Sequence, residues 1–401
     1  MRIKKLHLEN LGVFDSLNLE FQPSKRQGKA EIIMFTGENG TGKSTLLYAL
    51  ASAYDSCELL RQRFRTPSEE LNPLVEVFFE KNNETVSRCI THETRAENNE
   101  QTMAFAYSGN RALKSYQLSG IQEITESPFD NALSFINSTD SAILTKWIVY
   151  NKAKEAFALM KNEHAKAEKY RTAIQHIETV ISEIVGFQIE FVLETEPKFN
   201  VVLNIEGQRL ELDVLPDGLK SIISWIADLF MRMDRMADDN LFLERHLVLF
   251  LDEIDIHLHP AWQRKILPVI QKLFPNAQIF VSTHSPFVVG SVSDAYVYKF
   301  KLEKGVSRLD SIEESKAGSS VLLVLDDIFD IDELFDIETE TEFDQFYRLR
   351  DEIMNETKNE DKIPQFLELA RHLTQKGVEV TGVVGRELRQ MSRIINHDLS
   401  L

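Results

Sequence analysis

The chain has 401 residues, a formal net charge of −18 and an isoelectric point near 5.1. That leaves room for about two to three domain-sized units and removes broad attraction to nucleic acid as the default expectation. Its two cysteines, Cys57 and Cys89, exclude a disulfide framework or a cysteine zinc site. No apolar run approaches the roughly 18 residues of a membrane span, and no signal-peptide core is present, so a cytoplasmic location is expected.

Residues 1–21 alternate apolar and polar side chains (Ile3, Leu6, Leu8, then Leu17, Leu19, Phe21), which predicts an antiparallel strand pair turning at Gly12. Ile32–Phe35 is short and wholly apolar, as a buried strand is. It runs into Gly37-Glu38-Asn39-Gly40-Thr41-Gly42-Lys43-Ser44, a full G-x-x-x-x-G-K-[ST] match. Such a Walker A loop aims successive N–H groups at phosphate oxygens, and Thr45–Leu50 opens a helix whose dipole faces the same anion. Gly37 through Thr45 are therefore candidate ATP-binding residues, with Lys43 on the β/γ-phosphates and the Ser44 hydroxyl on Mg²⁺. A glycine-rich turn with a chance lysine is the bland alternative, and the strand before and helix after argue against it. Val75–Phe79, Thr85–Thr91 and Thr102–Tyr107 read as strands of a meander in an antiparallel layer beside the nucleotide.

Ser141–Gly186 carries apolar residues at helical spacing (Leu144, Trp147, Ile148, Phe157, Met160) and predicts a helical arm. Lys152–Arg171 holds six basic and three acidic residues, which a solvated helix surface explains better than a phosphate contact. Strand-like alternation returns over residues 189–212. Leu215-Pro216-Asp217-Gly218 then precedes a helix, the form of an ABC signature turn. Its N-terminus would meet a γ-phosphate held by another subunit, making Pro216, Asp217 and Gly218 candidate contacts in trans.

Leu247–Leu251 is a buried strand ending in Asp252 and Glu253, the Walker B pair. Asp252 is the candidate Mg²⁺ ligand and Glu253 the candidate that orients or deprotonates water. Ile254–Pro260 stands where an ABC D-loop does; His257 and His259 suggest either a metal or, better, a subunit contact. Gln278–Ser282 is a further buried strand, and His284 just after it is the candidate switch histidine. Val321–Asp327 resembles a metal-binding strand of a Toprim nuclease, yet its apolar residues fit helical spacing, with Ser319 or Ser320 as N-cap. Helices at 343–354, 364–373 and 383–395 complete an α-helical tail. Residues 326–344 hold ten acids and no base, either a solvated face or a dock for a basic partner.

The ordered set G-E-N-G-T-G-K-S, L-P-D-G-L-K-S, L-F-L-D-E-I-D-I-H-L-H-P and S-T-H-S-P resembles the RecF/SMC-like branch of ABC ATPases. More narrowly, it is similar to the OLD-like anti-phage ATPases. Phe105-Ala106-Tyr107-Ser108-Gly109-Asn110-Arg111, the Trp147 helix and the tail from Gly318 resemble the Septu and retron-associated ATPases (PtuA). The resemblance implies an α/β P-loop NTPase of ABC type with ATP and Mg²⁺ as cofactors, a head-to-head homodimer and no nuclease centre of its own. It also implies a separate HNH-type nuclease and, in retrons, a reverse transcriptase with its RNA–DNA product. The sequence departs from the ABC pattern at the Q-loop, where no glutamine is clearly placed and Gln117 is only a loose match.

The expected organisation is thus an ATPase head in two parts, 1–140 and 187–312, a helical arm at 141–186 and a partner-docking tail at 313–401. Three functions fit: a nucleotide-dependent regulator of an effector nuclease, a RecF-like repair clamp on duplex DNA, and a transporter ATPase. Missing membrane-coupling features disfavour the third. The acidic charge favours the first over the second.

Overall fold

The computed structural model describes residues 2–25, 28–55, 58–65, 73–81, 84–91, 103–109, 113–236, 242–315, 318–355, 362–395 and 399. Cys57, Thr102, Asn110 and Arg111 lie outside them. The described chain forms two compact units, Met1–Phe329 and Asp330–Leu401.

Strands β1 (Arg2–Leu11) and β2 (Phe14–Glu20) pair antiparallel with Leu6 opposite Leu19, as their alternation predicts. β3 (Glu31–Gly37) leads through the Walker A loop into α1 (Lys43–Ala51), followed by the short α2 (Glu58–Arg61). β4 (Leu74–Lys81) and β5 (Glu84–Thr91) extend the first pair into an antiparallel sheet of order β2-β1-β4-β5. β6 (Met103–Tyr107) does not join that layer. It runs parallel to β10 (Leu247–Leu251), with Phe105 beside Leu249. The reason is visible in Met-Ala-Phe-Ala-Tyr: it has no polar face, all five residues are buried, and strands covered on both faces belong in a parallel sheet.

Helices α3 (Ser141–Met160) and α4 (His164–Val185) form a hairpin, and β7 (Ile189–Glu194), β8 (Asn200–Ile205) and β9 (Gln208–Glu211) a small antiparallel sheet. Then come α5 (Asp217–Met236), β10, α6 (Pro260–Leu273), β11 (Gln278–Ser282), the single turn α7 (Pro286–Val289), β12 (Tyr296–Glu303), β13 (Val306–Glu314) and α8 (Val321–Phe329). The central sheet has the order β13-β12-β3-β11-β10-β6. Within it β12, β3, β11, β10 and β6 are parallel and β13 pairs antiparallel to β12.

Because side chains alternate along each strand, this sheet feeds two cores. Met34, Tyr107, Leu249 and Val281 face one with α3 to α6; Phe35, Ala106, Phe250 and Phe280 face the other with α1 and the antiparallel sheet. The α3–α4 pair is anchored by this packing. Trp147, Ile148, Ile177 and Ile181 lie in the same core as Trp225, and exposure is concentrated at the hairpin turn, where Met160 is 80% exposed.

Val321–Phe329 is a helix, so the Toprim strand is excluded there. Ser320 Oγ accepts from Leu323 N at 3.2 Å, and Val324 and Ile328 are buried. β13 and α8 thus belong to the first unit, and the division falls at 329/330 rather than at 312/313.

The second unit is three helices, α9 (Ile337–Asn355), α10 (Ile363–Thr374) and α11 (Val378–Ile395), around Phe346, Phe366, Leu373, Val384 and Met391. The Phe346 and Phe366 rings stack at 4.5 Å, a contact worth about 0.5–1.5 kcal/mol beyond its buried area. Part of the acidic run has structural work here. Asp336 caps α9, accepting from Thr339 Oγ1 at 2.7 Å; Glu340 accepts from Leu334 N and Phe335 N; Glu342 pairs with Lys376 at 2.9 Å. Asp332 and Glu333 are exposed.

Candidate functional site

The loop after β3 closes around its own lysine. Gly42 has φ +89°, and a Cβ there would lie 2.5 Å from the Phe14 ring, so glycine is required both by conformation and by space. From this position the chain enters α1 directly. Lys43 is 6% exposed, and its Nζ donates to the carbonyls of Gly37 and Glu38, each at 2.9 Å. Burial pulls its pKa down to about 8, against the opposing pull of Asp252, Glu253 and Asp255.

Ser44, one residue on, reaches the Walker B strand. Its Oγ donates to Asp252 Oδ1 at 2.9 Å; Ser282 Oγ donates to the same oxygen at 2.5 Å, and Tyr48 OH to Oδ2 at 3.3 Å. Three hydroxyls thus hold one buried carboxylate. A hydroxyl beside a carboxylate is a hard-oxygen donor pair suited to Mg²⁺, which takes one or two protein oxygens and fills the rest of its shell with phosphate and water. Among the described residues no group of three or more His, Cys, Asp or Glu is placed to hold a metal.

Glu253 has φ +48° and donates its N–H to Ser282 Oγ at 2.7 Å. Burial raises its carboxyl pKa first, and the charges of Asp252 and Asp255 raise it further. That shift suits a proton acceptor, since a base gains strength as its pKa rises toward the working pH. Gly109, after β6, is packed against it: a Cβ there would lie 2.7 Å from Glu253 Cβ. His284 is half-buried, with its pKa lowered by burial and then by Lys43, which favours the neutral ring.

The other histidines separate. His259 Nδ1 accepts from Ala261 N at 3.2 Å and caps α6, whereas His257 is exposed with φ +62°. At the turn predicted as a signature, the Pro216 carbonyl accepts from Leu219 N and Lys220 N at 2.9 and 3.0 Å and starts α5. Asp217 points outward, its side chain 75% exposed. Gly218 is enclosed, because a Cβ there would lie 2.5 Å from the His257 carbonyl oxygen. Gln117 is exposed, next to Leu118, which bridges to Phe199 beside the β7–β9 sheet.

One link was not legible in the motifs. Tyr107 accepts from Asp252 N through its carbonyl at 2.8 Å, while its hydroxyl donates to Asp228 Oδ2 at 2.9 Å. Asp228 also takes Arg232 Nε at 2.6 Å, and the guanidinium binds the carbonyls of Pro128, Asp130 and Ser138. Helix α5 is thereby tied to the Walker B strand. The available signal was an Asp–Arg pair four residues apart in the otherwise apolar stretch Trp225–Met233 of that helix.

A family described as "AAA domain, putative AbiEii toxin, Type IV TA system" matches residues 32–290. The chain belongs to this AAA-domain family. The match begins at the Walker A strand and ends just past His284. With the Walker A loop between β3 and α1 at the parallel sheet and an antiparallel sheet flanking it, this member is an α/β P-loop NTPase. The chain is also similar to the Septu protein PtuA of Bacillus thuringiensis, at 23% identity over 380 residues, covering 86% of this chain and 88% of that one. It is 28% identical over 188 residues to the Retron Ec83 probable ATPase of Escherichia coli, covering 42% of this chain and 34% of that protein. A solved SMC head bound to the C-winged helix domain of ScpA is 12% identical, with a TM-score of 0.47 and coverage of 78% and 98%.

Proposed function

We propose that this chain binds and hydrolyses ATP at a site completed when two heads meet, and that its nucleotide state governs a separate effector nuclease of HNH type in anti-phage defence. The observation that carries the reading is the convergence of Lys43 and Ser44, after β3, with Asp252 and Glu253, after β10: Ser44 donates to Asp252, and Ser282 of the intervening strand β11 binds both Asp252 and the Glu253 N–H. The likeness to a Septu PtuA over 86% of this chain and 88% of that one supports the setting in defence.

In this reading the loop N–H groups of Gly37 to Thr45 and the Lys43 ammonium bind the phosphates. Ser44 and Asp252 would hold Mg²⁺, which would supply charge neutralisation at the phosphates. Glu253 accepts the proton of the attacking water, and neutral His284 donates a hydrogen bond toward the γ-phosphate. Pro216, Asp217 and Gly218 approach the phosphate of the partner protomer, with the α5 dipole aimed at it. Phosphate release from ATP by the purified protein with Mg²⁺ tests the activity; no release above buffer would overturn it.

The effector is drawn by the acidic stretch at the start of the second unit. Since Asp336 is a helix cap, the charges to change are Asp330, Asp332 and Glu333. Converting these three to amides is expected to leave ATPase activity intact and to weaken association with a basic effector, with wild-type affinity falling as salt rises. Pull-downs across a salt series check this. Binding that ignores both salt and the substitutions would leave the run as a solvated face.

A further inference from the structure

Residues 252–259 join β10 to α6, and two left-handed non-glycine residues, Glu253 (φ +48°) and His257 (φ +62°), shape the path. Backbone of that kind persists only where its surroundings fix it. The fixing groups come from the stretch after β11. Thr283 is fully buried; its Oγ1 donates to Asp255 Oδ1 at 2.6 Å and accepts from Ser285 N at 3.0 Å. Both hydrogen-bonding capacities of the hydroxyl are in use, so its orientation is set. Ser285 Oγ donates to Gln263 Oε1 at 2.7 Å, and Gln263 Nε2 donates to the carbonyls of Asp255 at 3.1 Å and Leu258 at 2.9 Å.

We propose that Thr283 and the Ser285–Gln263 pair are positioning residues for hydrolysis. They clamp the loop at Asp255 and Leu258, so that Glu253 on one side and the His257 carbonyl against Gly218 on the other keep their working geometry. His284 lies between the two clamping hydroxyls in sequence. A displacement of this strand end therefore reaches the chain's own signature turn through Asp255 and His257. The motif S-T-H-S thus contributes the residues flanking its histidine as well as the histidine itself. The proposal rests on the ATPase reading of the site.

Thr283→Val keeps the shape and removes the hydroxyl; Thr283→Ser restores it. Turnover of Thr283→Val is expected to fall about tenfold, the scale of one hydrogen bond to a charged group. Binding of a fluorescent ATP analogue should stay within about twofold, and Thr283→Ser should recover turnover. Gln263→Leu, which cuts the second tie, should show the same split between turnover and binding. Thr283→Val and Gln263→Leu turning over at the wild-type rate would overturn the proposal. So would turnover and binding lost in parallel without rescue by serine, the pattern of a packing defect. Lys43→Ala runs in the same assays: wild-type binding and turnover there would overturn the site assignment itself, and the proposal with it.

Discussion

Lys43→Ala is expected to lower ATP turnover by on the order of 10²–10³-fold or more, and ATP affinity by about tenfold or more. The ammonium is a point charge held inside the loop by two carbonyls, and alanine leaves neither the charge nor those contacts. A pH dependence distinguishes loss of that charge from a collapsed loop. In the unliganded protein burial sets the Lys43 pKa at about 8, and phosphate beside it favours the charged form and raises the value. As pH climbs through 8, binding must recover a proton the free protein has lost, so ATP affinity should decline between about pH 8 and 10. The Lys43→Ala variant should show no such decline. Titration of both proteins with a fluorescent ATP analogue across that range checks the prediction; identical slopes would contradict it.

Glu253→Gln should do something different, keeping ATP bound while turnover falls by about 10²–10⁴-fold. Glutamine has nearly the same shape, leaves the backbone bond to Ser282 intact and adds no bulk against Gly109. What disappears is the proton acceptor whose pKa burial and two neighbouring acids raise. Single-turnover hydrolysis beside equilibrium binding separates the two effects, and a glutamine variant hydrolysing at the wild-type rate would remove Glu253 from the chemistry.

The parts of the head legible in the sequence are those whose chemistry is contiguous. Gly37–Ser44 carries its own turn, cation and hydroxyl in one run, and Leu247–Glu253 carries strand and acids in another. Val321–Phe329 was legible as a helix because its spacing and the Ser320 cap agree. Met103–Tyr107 was misplaced because five apolar residues specify burial and leave the sheet open; the partner, β10, lies far along the chain. The acidic run shows the same limit. Charge alone gave Asp326–Asp344 as one surface, while Asp336, Glu340 and Glu342 are engaged within the second unit by residues that only its fold brings near. The Ser282, Thr283 and Gln263 contacts likewise exist only once β10 and β11 lie side by side.

The trans site is the step furthest from any single chain. Because Gly218 is enclosed by His257, a bulky residue there would disturb its own loop, and exposed Asp217 is the better position to block. Phosphate release by Lys43→Ala, by Asp217→Arg and by their equimolar mixture is the most direct measurement. Each variant alone should be inactive. The mixture should recover about a quarter of the wild-type rate, since half of randomly paired dimers are mixed and each of those retains one intact site of two. Full activity of Asp217→Arg alone, or a mixture as inactive as its components, would contradict a site shared between two heads.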